Sequence, residues 1–465
     1  MAYGAVESYQ SDELVVALPD FDIVHKALTD LQVAVGERED DERLGLARLP
    51  VGKVAEVATE LRRQDDGLVR RVTDAKWWSG GPPQETNLSD LDVLLYKLRE
   101  NFSAAYGGWL PDIGKNRVIA PVRGFPHLGG CTIGDPSQLG LADPQLTGRG
   151  GQGWRRPRAT EPGHGVRVGL LDTKLYPNSW LEGGYLAAKD GLLEVSGSDG
   201  HILGALEGHG TFVAGLILDR APGARLIVRP VMGPEALGTS WNVAKVMAQF
   251  VGTGVDILNL SFGCYTDDGR PPLVLAKAVS LVSPEILLVA AAGNHGDIEE
   301  LRAAGSELAA PWTKYLQDRT PVWPAAFAEV TAVGATDKGR QLAKFTPMAP
   351  WVDVTAPGVH VESTYLEGEV RLSFPKDNPP TKEFGGFARW DGTSFAAATV
   401  SGAIAAKIGP GRDARQALEA VLADPDPNSR IWPFSKSEAP ETQLRSPCSP
   451  SGRDGIVQST APQAR

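Results

Sequence analysis

An Asp, a His and a Ser, the residue types that can run acyl transfer, occur in this 465-residue chain in settings that leave each open to a reacting group. Gly208-His209-Gly210-Thr211-Phe212-Val213-Ala214-Gly215 sets an imidazole between two glycines at the head of an apolar helical run. Without side chains on either side, backbone and substrate can approach the ring. A helix N-terminus disfavours imidazolium, so the charged form needs a carboxylate to hold it. Asp172 supplies one at the carboxyl end of the apolar strand Val166–Leu171, the edge where sites of open α/β sheets gather. Gly392-Thr393-Ser394-Phe395-Ala396-Ala397-Ala398 opens a second small-residue helix, placing a hydroxyl and a backbone N–H where a tetrahedral oxyanion is stabilised. Ala290-Ala291-Ala292-Gly293-Asn294 ends a strand in a turn whose amide can donate to the same oxyanion.

Singly, each motif has an ordinary explanation. Thr393 and Ser394 would serve as a helix cap, and Gly-Asn is turn chemistry. Together and in the order Asp, His, Ser they resemble the subtilisin-like serine peptidases, whose order differs from those of chymotrypsin and the α/β-hydrolases. The resemblance runs from Val166 to Ile408 and takes in Asp256–Gly263, Trp323–Phe327 and Ala356–Val359.

That resemblance implies a serine endopeptidase. Ser394 would attack the peptide carbonyl, His209 take and return its proton, Asp172 orient His209, and Asn294 donate to the oxyanion. Ser261, Phe262 and Gly263 would line one wall of the primary specificity pocket and pair with extended substrate; Ala291, Ala292 and Gly293 would face them. Two departures stand out. Ala398 and Thr399 replace the family's Pro and His after the nucleophile, which alters helix packing without touching the chemistry. Cys264 stands where the family often has Gly, which reshapes the pocket wall, as a small buried residue or as a reactive thiol. The chemistry requires no cofactor; many family members bind calcium, but no ligands are assigned here, because such sites mix dispersed oxygens.

The elements that must position these groups follow from texture. From Val166 onward short apolar strands alternate with helices, so residues 161–424 are expected to form an α/β domain, a parallel sheet covered by helices on both faces. Ahead of it, Glu13–Leu18, Phe21–Leu31, Leu31–Gly36, Leu44–Val51, Lys53–Arg63 and Leu68–Val72 read as strand, helix, strand, strand, helix, strand. That is the split βαβ order of a ferredoxin-like α+β unit, assigned to residues 1–78. A Gly/Pro cluster at Ser79–Gln84 marks its end, and the stripe Leu88, Leu91, Leu94, Leu95, Leu98, Phe102 predicts a helix. Gly107–Gly165 reads mostly as loop, so residues 79–160 are taken as a connecting segment. Its basic run Trp154–Arg158 is a solvated face or a cleavage site. Residues 425–465, Pro/Ser-rich and without apolar period, read as a flexible tail.

Subtilases are commonly made with a propeptide of ferredoxin-like order that inhibits in cis. By that resemblance residues 1–78 are expected to restrain the enzyme, with autocleavage between Lys76 and Arg158; a permanent regulatory domain is the alternative. Expected partners are peptide or protein substrates. A net charge of −11 argues against nucleic acid, and no stretch is long and apolar enough for a membrane span. Met1–Leu18 lacks a basic start followed by an apolar run, and Cys131, Cys264 and Cys448 lie too far apart for a disulfide framework, so a cytoplasmic location is expected. A narrow processing protease acting on one partner, and a peptide-binding pseudo-protease, remain open beside the endopeptidase.

Overall fold

Strand Ser8–Ala17 (β1) carries the unbroken apolar run Leu14-Val15-Val16-Ala17, and the fold explains why it does not alternate with polar residues. Leu14 and Val16 face one core, Val15 and Ala17 another, because both sides of the sheet are covered. In the computed structural model, residues 2–3, 7–76, 88–122, 137–138, 161–193, 202–299, 316–372, 380–423 and 431–434 are described.

The N-terminal unit continues through helix Phe21–Asp30 (α1), the short strand Ala34–Val35 (β2), strand Leu46–Gly52 (β3), and helices Val54–Gln64 (α2), Leu68–Lys76 (α3) and Asp90–Ala105 (α4), ending in strand Ile113–Pro121 (β4). The sheet order is β4-β1-β3-β2, every neighbouring pair antiparallel. Two expectations are corrected here. Leu68–Val72 is helix, not the last strand: Leu68 and Val72, four residues apart, bury on one face beside Leu94, Leu98 and Phe102. The fourth strand is instead β4, inside the stretch read as loop. Its centre, Lys115-Asn116-Arg117, is polar yet buried, which hides a strand from any hydrophobic pattern. Both α4 and β4 share the core of the first strands, so the unit extends past residue 78 to Pro121.

The second core is made with the main unit. That unit contains strands Arg167–Asp172 (β5) and Tyr185–Ala187 (β6), helix His209–Arg220 (α5), strands Arg225–Pro230 (β7) and Gly238–Thr239 (β8), and helix Ser240–Ala248 (α6). Strands Ile257–Leu260 (β9) and Phe262–Gly263 (β10), helix Leu273–Val282 (α7), and strands Leu287–Ala291 (β11), Val330–Thr336 (β12) and Val354–Pro357 (β13) follow. The hairpin Val361–Arg371 (β14) and Thr381–Trp390 (β15), helices Thr393–Lys407 (α8) and Ala414–Ala423 (α9), and strand Trp432–Pro433 (β16) complete it. The central sheet runs β16-β13-β12-β11-β9-β5-β7-β6, parallel except for β16.

Alternation along the strands sorts the two faces. Val168, Leu170, Ile257 and Val289 pack with α5, α8 and α9; Leu171, Leu258, Leu288 and Ala290 pack with α6 and α7. The N-terminal sheet lies over α6 and α7, placing Val15, Leu46 and Ile119 in one core with Trp241, Val243 and Val274. Each of those three fully buried aliphatic side chains stabilises by about 1.5–3 kcal/mol. Part of the expected tail is structured: Ile431 and Phe434 are buried, and β16 adds to the sheet edge. Trp154–Arg158 and the remainder of the tail lie outside the described residues.

Polar groups cross between the units as well. Asn116 accepts from Ser240 Oγ (3.1 Å) and from the Trp241 N–H (3.0 Å), and its amide donates to Glu13 (2.6 Å). Within the N-terminal unit Lys115 pairs with Glu7 and Asp92, and Arg117 with Glu7 at 3.0 Å, all four side chains almost fully buried, and the Glu7 N–H donates across to Asp267 Oδ1 (3.1 Å). Lys277 pairs with Asp112 at 3.1 Å.

Candidate active site

Strand β5 delivers Asp172 to its carboxyl edge, fully buried. Its Oδ1 accepts from the Thr173 N–H (2.8 Å) and lies 2.7 Å from His209 Nδ1. The glycines beside His209 are demanded by close approach. A Cβ on Gly208 would lie 2.3 Å from the Tyr365 ring, and one on Gly210 would lie 2.8 Å from the Thr173 carbonyl. The His209 ring packs edge-on to Trp390 (5.8 Å between centroids) and against Phe395 (5.5 Å), the residue after Ser394. Ser394 heads α8, with its Oγ donating to the Ser261 carbonyl (3.1 Å) while Ser261 Oγ donates back to the Ser394 carbonyl (3.0 Å). The fold thus pairs His209 with Asp172 and Ser394 with Ser261, and sets the His209 ring against Phe395, the residue next to Ser394.

Asn294 joins them. Its Oδ1 accepts from both the N–H (2.9 Å) and the Oγ1 (2.8 Å) of Thr393, which leaves Nδ2 turned outward. Thr393 therefore orients the amide rather than merely capping a helix. Nδ2 donates to the carbonyl of Val122, at the end of β4.

The strand leading to Val122 lies between two edges of the main unit. Val118 and Ile119 pair with Thr239 and Gly238; Ala120 and Pro121 pair with Gly263 and Phe262, all antiparallel. The expected wall Ser261-Phe262-Gly263 thus carries an extended strand, and Ala291 and Ala292 are fully buried behind Gly293. Cys264 is also buried, and desolvation pushes its thiol up to about 12, the character of a packing residue. His295 donates from Nε2 to the Thr320 carbonyl (3.0 Å), so Nδ1 accepts from Tyr265 OH (3.3 Å); burial pushes this ring down to about 4.

Residues 163–411, more than half of the chain, match the subtilase family of S8 peptidases. The chain belongs to the subtilase family. It is 34% identical over 215 residues to Subtilisin Savinase of Lederbergia lenta, covering 44% of this chain and 67% of that one. It is likewise 34% identical to an alkaline protease of Alkalihalobacillus alcalophilus, of which it spans about half, 48%. A solved lanthipeptide protease overlaps 56% of this subtilase and 80% of its own chain, at 24% identity and a TM-score of 0.42. The enzyme is a subtilisin-like serine endopeptidase.

Three contributors to the site were not picked out from the sequence of this subtilase: Val122, Thr393 as the support of Asn294, and His295. The run Val118-Ile119-Ala120 has strand-forming character that could have flagged the first. Nothing local announces the other two. Among the described residues no group of three or more His, Cys, Asp or Glu is placed to hold a metal ion, and no helix is long and apolar enough to cross a membrane.

Proposed function

We propose that Asp172, His209 and Ser394 form the relay, that Asn294 donates to the oxyanion, and that the N-terminal unit holds the enzyme latent by laying its own strand in the cleft. One observation carries this reading: the amide of Asn294, the group that would stabilise an oxyanion, is already engaged by the Val122 carbonyl. Extended pairing of residues 118–119 with one edge and of 120–121 with another is how substrate would be held by backbone hydrogen bonds. The bond from Val122 to Arg123 is then the one to be cut.

Asp172 occupies Nδ1 of His209, leaving Nε2 as the base. Ser394 turns from the Ser261 carbonyl toward that nitrogen, gives it the hydroxyl proton, and its Oγ bonds to the Val122 carbonyl carbon. The C–N bond breaks as the Arg123 nitrogen takes the proton from His209. Water, activated by the same ring, hydrolyses the ester and leaves a carboxylate on Val122. Imidazolium formed on the way is balanced by the buried Asp172.

The β4-β1-β3-β2 order with intervening helices supports a ferredoxin-like assignment for the inhibitory unit. After cutting, its core shared with α6 and α7 favours retention as a bound fragment. A cytoplasmic location is part of the same reading, supported by the free thiol of Cys264; cell fractionation tests it. For latency the test is intact mass of the full-length protein over time, beside Ser394→Ala. Fragments meeting at Val122 and Arg123 in wild type alone are expected; equal fragmentation of both proteins would refute self-processing.

A further inference from the structure

We infer that Val322 sets the depth of the pocket between Gly263 and Gly293, and that this enzyme therefore cuts after small β-branched residues. The inference rests on the reading above, in which Val122 is the residue whose carbonyl is attacked. Its side chain then marks the primary pocket, and its surroundings can be read directly.

A Cβ placed on Gly263 would lie 2.5 Å from Val322 Cγ1 and 3.6 Å from Val122 Cγ2. One placed on Gly293 would lie 3.0 Å from Val322 Cγ2. The isopropyl group of Val322 therefore occupies the space between the two glycine walls, and Val122 approaches the same Gly263 wall. Both valines are buried in one core, 1% and 8% exposed. A side chain longer than Val at position 122 would have to enter the volume that Val322 holds.

Val322 cannot easily step aside. The next residue, Trp323, exchanges two backbone hydrogen bonds of 2.9 Å with Cys264, beyond the pocket wall. Two residues earlier, the Thr320 carbonyl is held by His295, the neighbour of Asn294. The segment under the pocket is thus tied to both walls, and packed interiors do not yield to an added ring without strain.

Position 119 shows the same selection at a distance. Ile119 is fully buried with Met232 and Trp241, while Ala120, next to it on the strand, is half-buried. The favoured substrate is an extended polypeptide with a β-branched aliphatic residue before the cut and another aliphatic residue three positions earlier.

The test is self-processing of the full-length protein, followed by intact mass and N-terminal sequencing. Val122→Thr should be cut near the wild-type rate, because shape and branching persist. Val122→Phe should slow at least about tenfold, the lower end of what a change of one methylene costs in an apolar pocket. Adding Val322→Gly to Val122→Phe should restore cutting, with Val322→Ala as the milder version; a cooperative urea unfolding transition checks that each variant is folded. Cutting of Val122→Phe at the wild-type rate overturns the inference. So does a folded double variant that stays uncut. The underlying reading fails separately, if wild type is not cut after Val122. Peptide anilides ending in Val or Phe, offered to enzyme that has not been treated with the probe, then judge the pocket alone, and a preference for Phe overturns it.

Discussion

The side-chain amide of Asn294 donates to the backbone carbonyl of Val122, a residue 172 positions earlier in the chain. Thr393 makes this one-directional by engaging Oδ1 twice. The donor is thereby fixed before any charge develops, which is how electrostatic preorganisation works.

Replacing Asn294 with Ala should lower kcat by about 10²–10³-fold, the range reported for the oxyanion asparagine of a subtilisin, while KM changes little. The bond strengthens only as the carbonyl oxygen becomes negative, so the loss falls on turnover. Thr393→Val should give a smaller loss of the same kind, rescued by Thr393→Ser. Steady-state kinetics on processed enzyme check both, and an unchanged kcat would count against the assignment.

Acid should weaken the fold through His295. Its ring, normally near 6.5, is held down to about 4 by burial. Between those values the unfolded chain binds a proton that the folded chain refuses, so stability falls as pH drops from 6.5 to 4. The full difference amounts to about 3 kcal/mol. Urea titrations of the Ser394→Ala protein at several pH values should show this slope, and His295→Gln should flatten it.

Lys115 stands between two carboxylates where the units meet, pairing with Glu7 and Asp92 while almost fully buried. Lys115→Met would take the pairing cation from Asp92 and one of two cations from Glu7, which also pairs with Arg117, and cost about 3–5 kcal/mol. The N-terminal unit should then release more readily after processing, read as faster fluorophosphonate labelling and a lower urea midpoint. Unchanged labelling would mean that this cluster does not hold the unit in place.

Cys264 should resist alkylation in the folded protein at pH 8, because its thiol is buried and pushed up to about 12. Iodoacetamide mass shifts before and after denaturation measure this. Rapid native labelling would restore the reactive-thiol alternative.

Much of the central domain was legible because its signals are local. Parallel strands such as Leu287–Ala291 are short apolar runs, and Gly208, His209 and Gly210 sit consecutively where the chain turns into a helix. The N-terminal boundary was not legible, because β4 buries Lys115, Asn116 and Arg117 against partners more than 100 residues away, such as Glu7 and Ser240. Leu68–Val72 misled for a different reason: five residues with apolar ends fit either period until a neighbouring helix face selects one.

The sequence by itself determined the subtilisin-like fold of the main unit and the residue types gathered at its edge, because backbone periodicity and glycine placement are written in consecutive residues. The tertiary structure alone decided that Asn294 meets Val122, that Thr393 aims it, and that Val322 closes the pocket. Those relationships join residues far apart in the chain, and only packing brings such residues within a hydrogen bond or a methyl radius of one another.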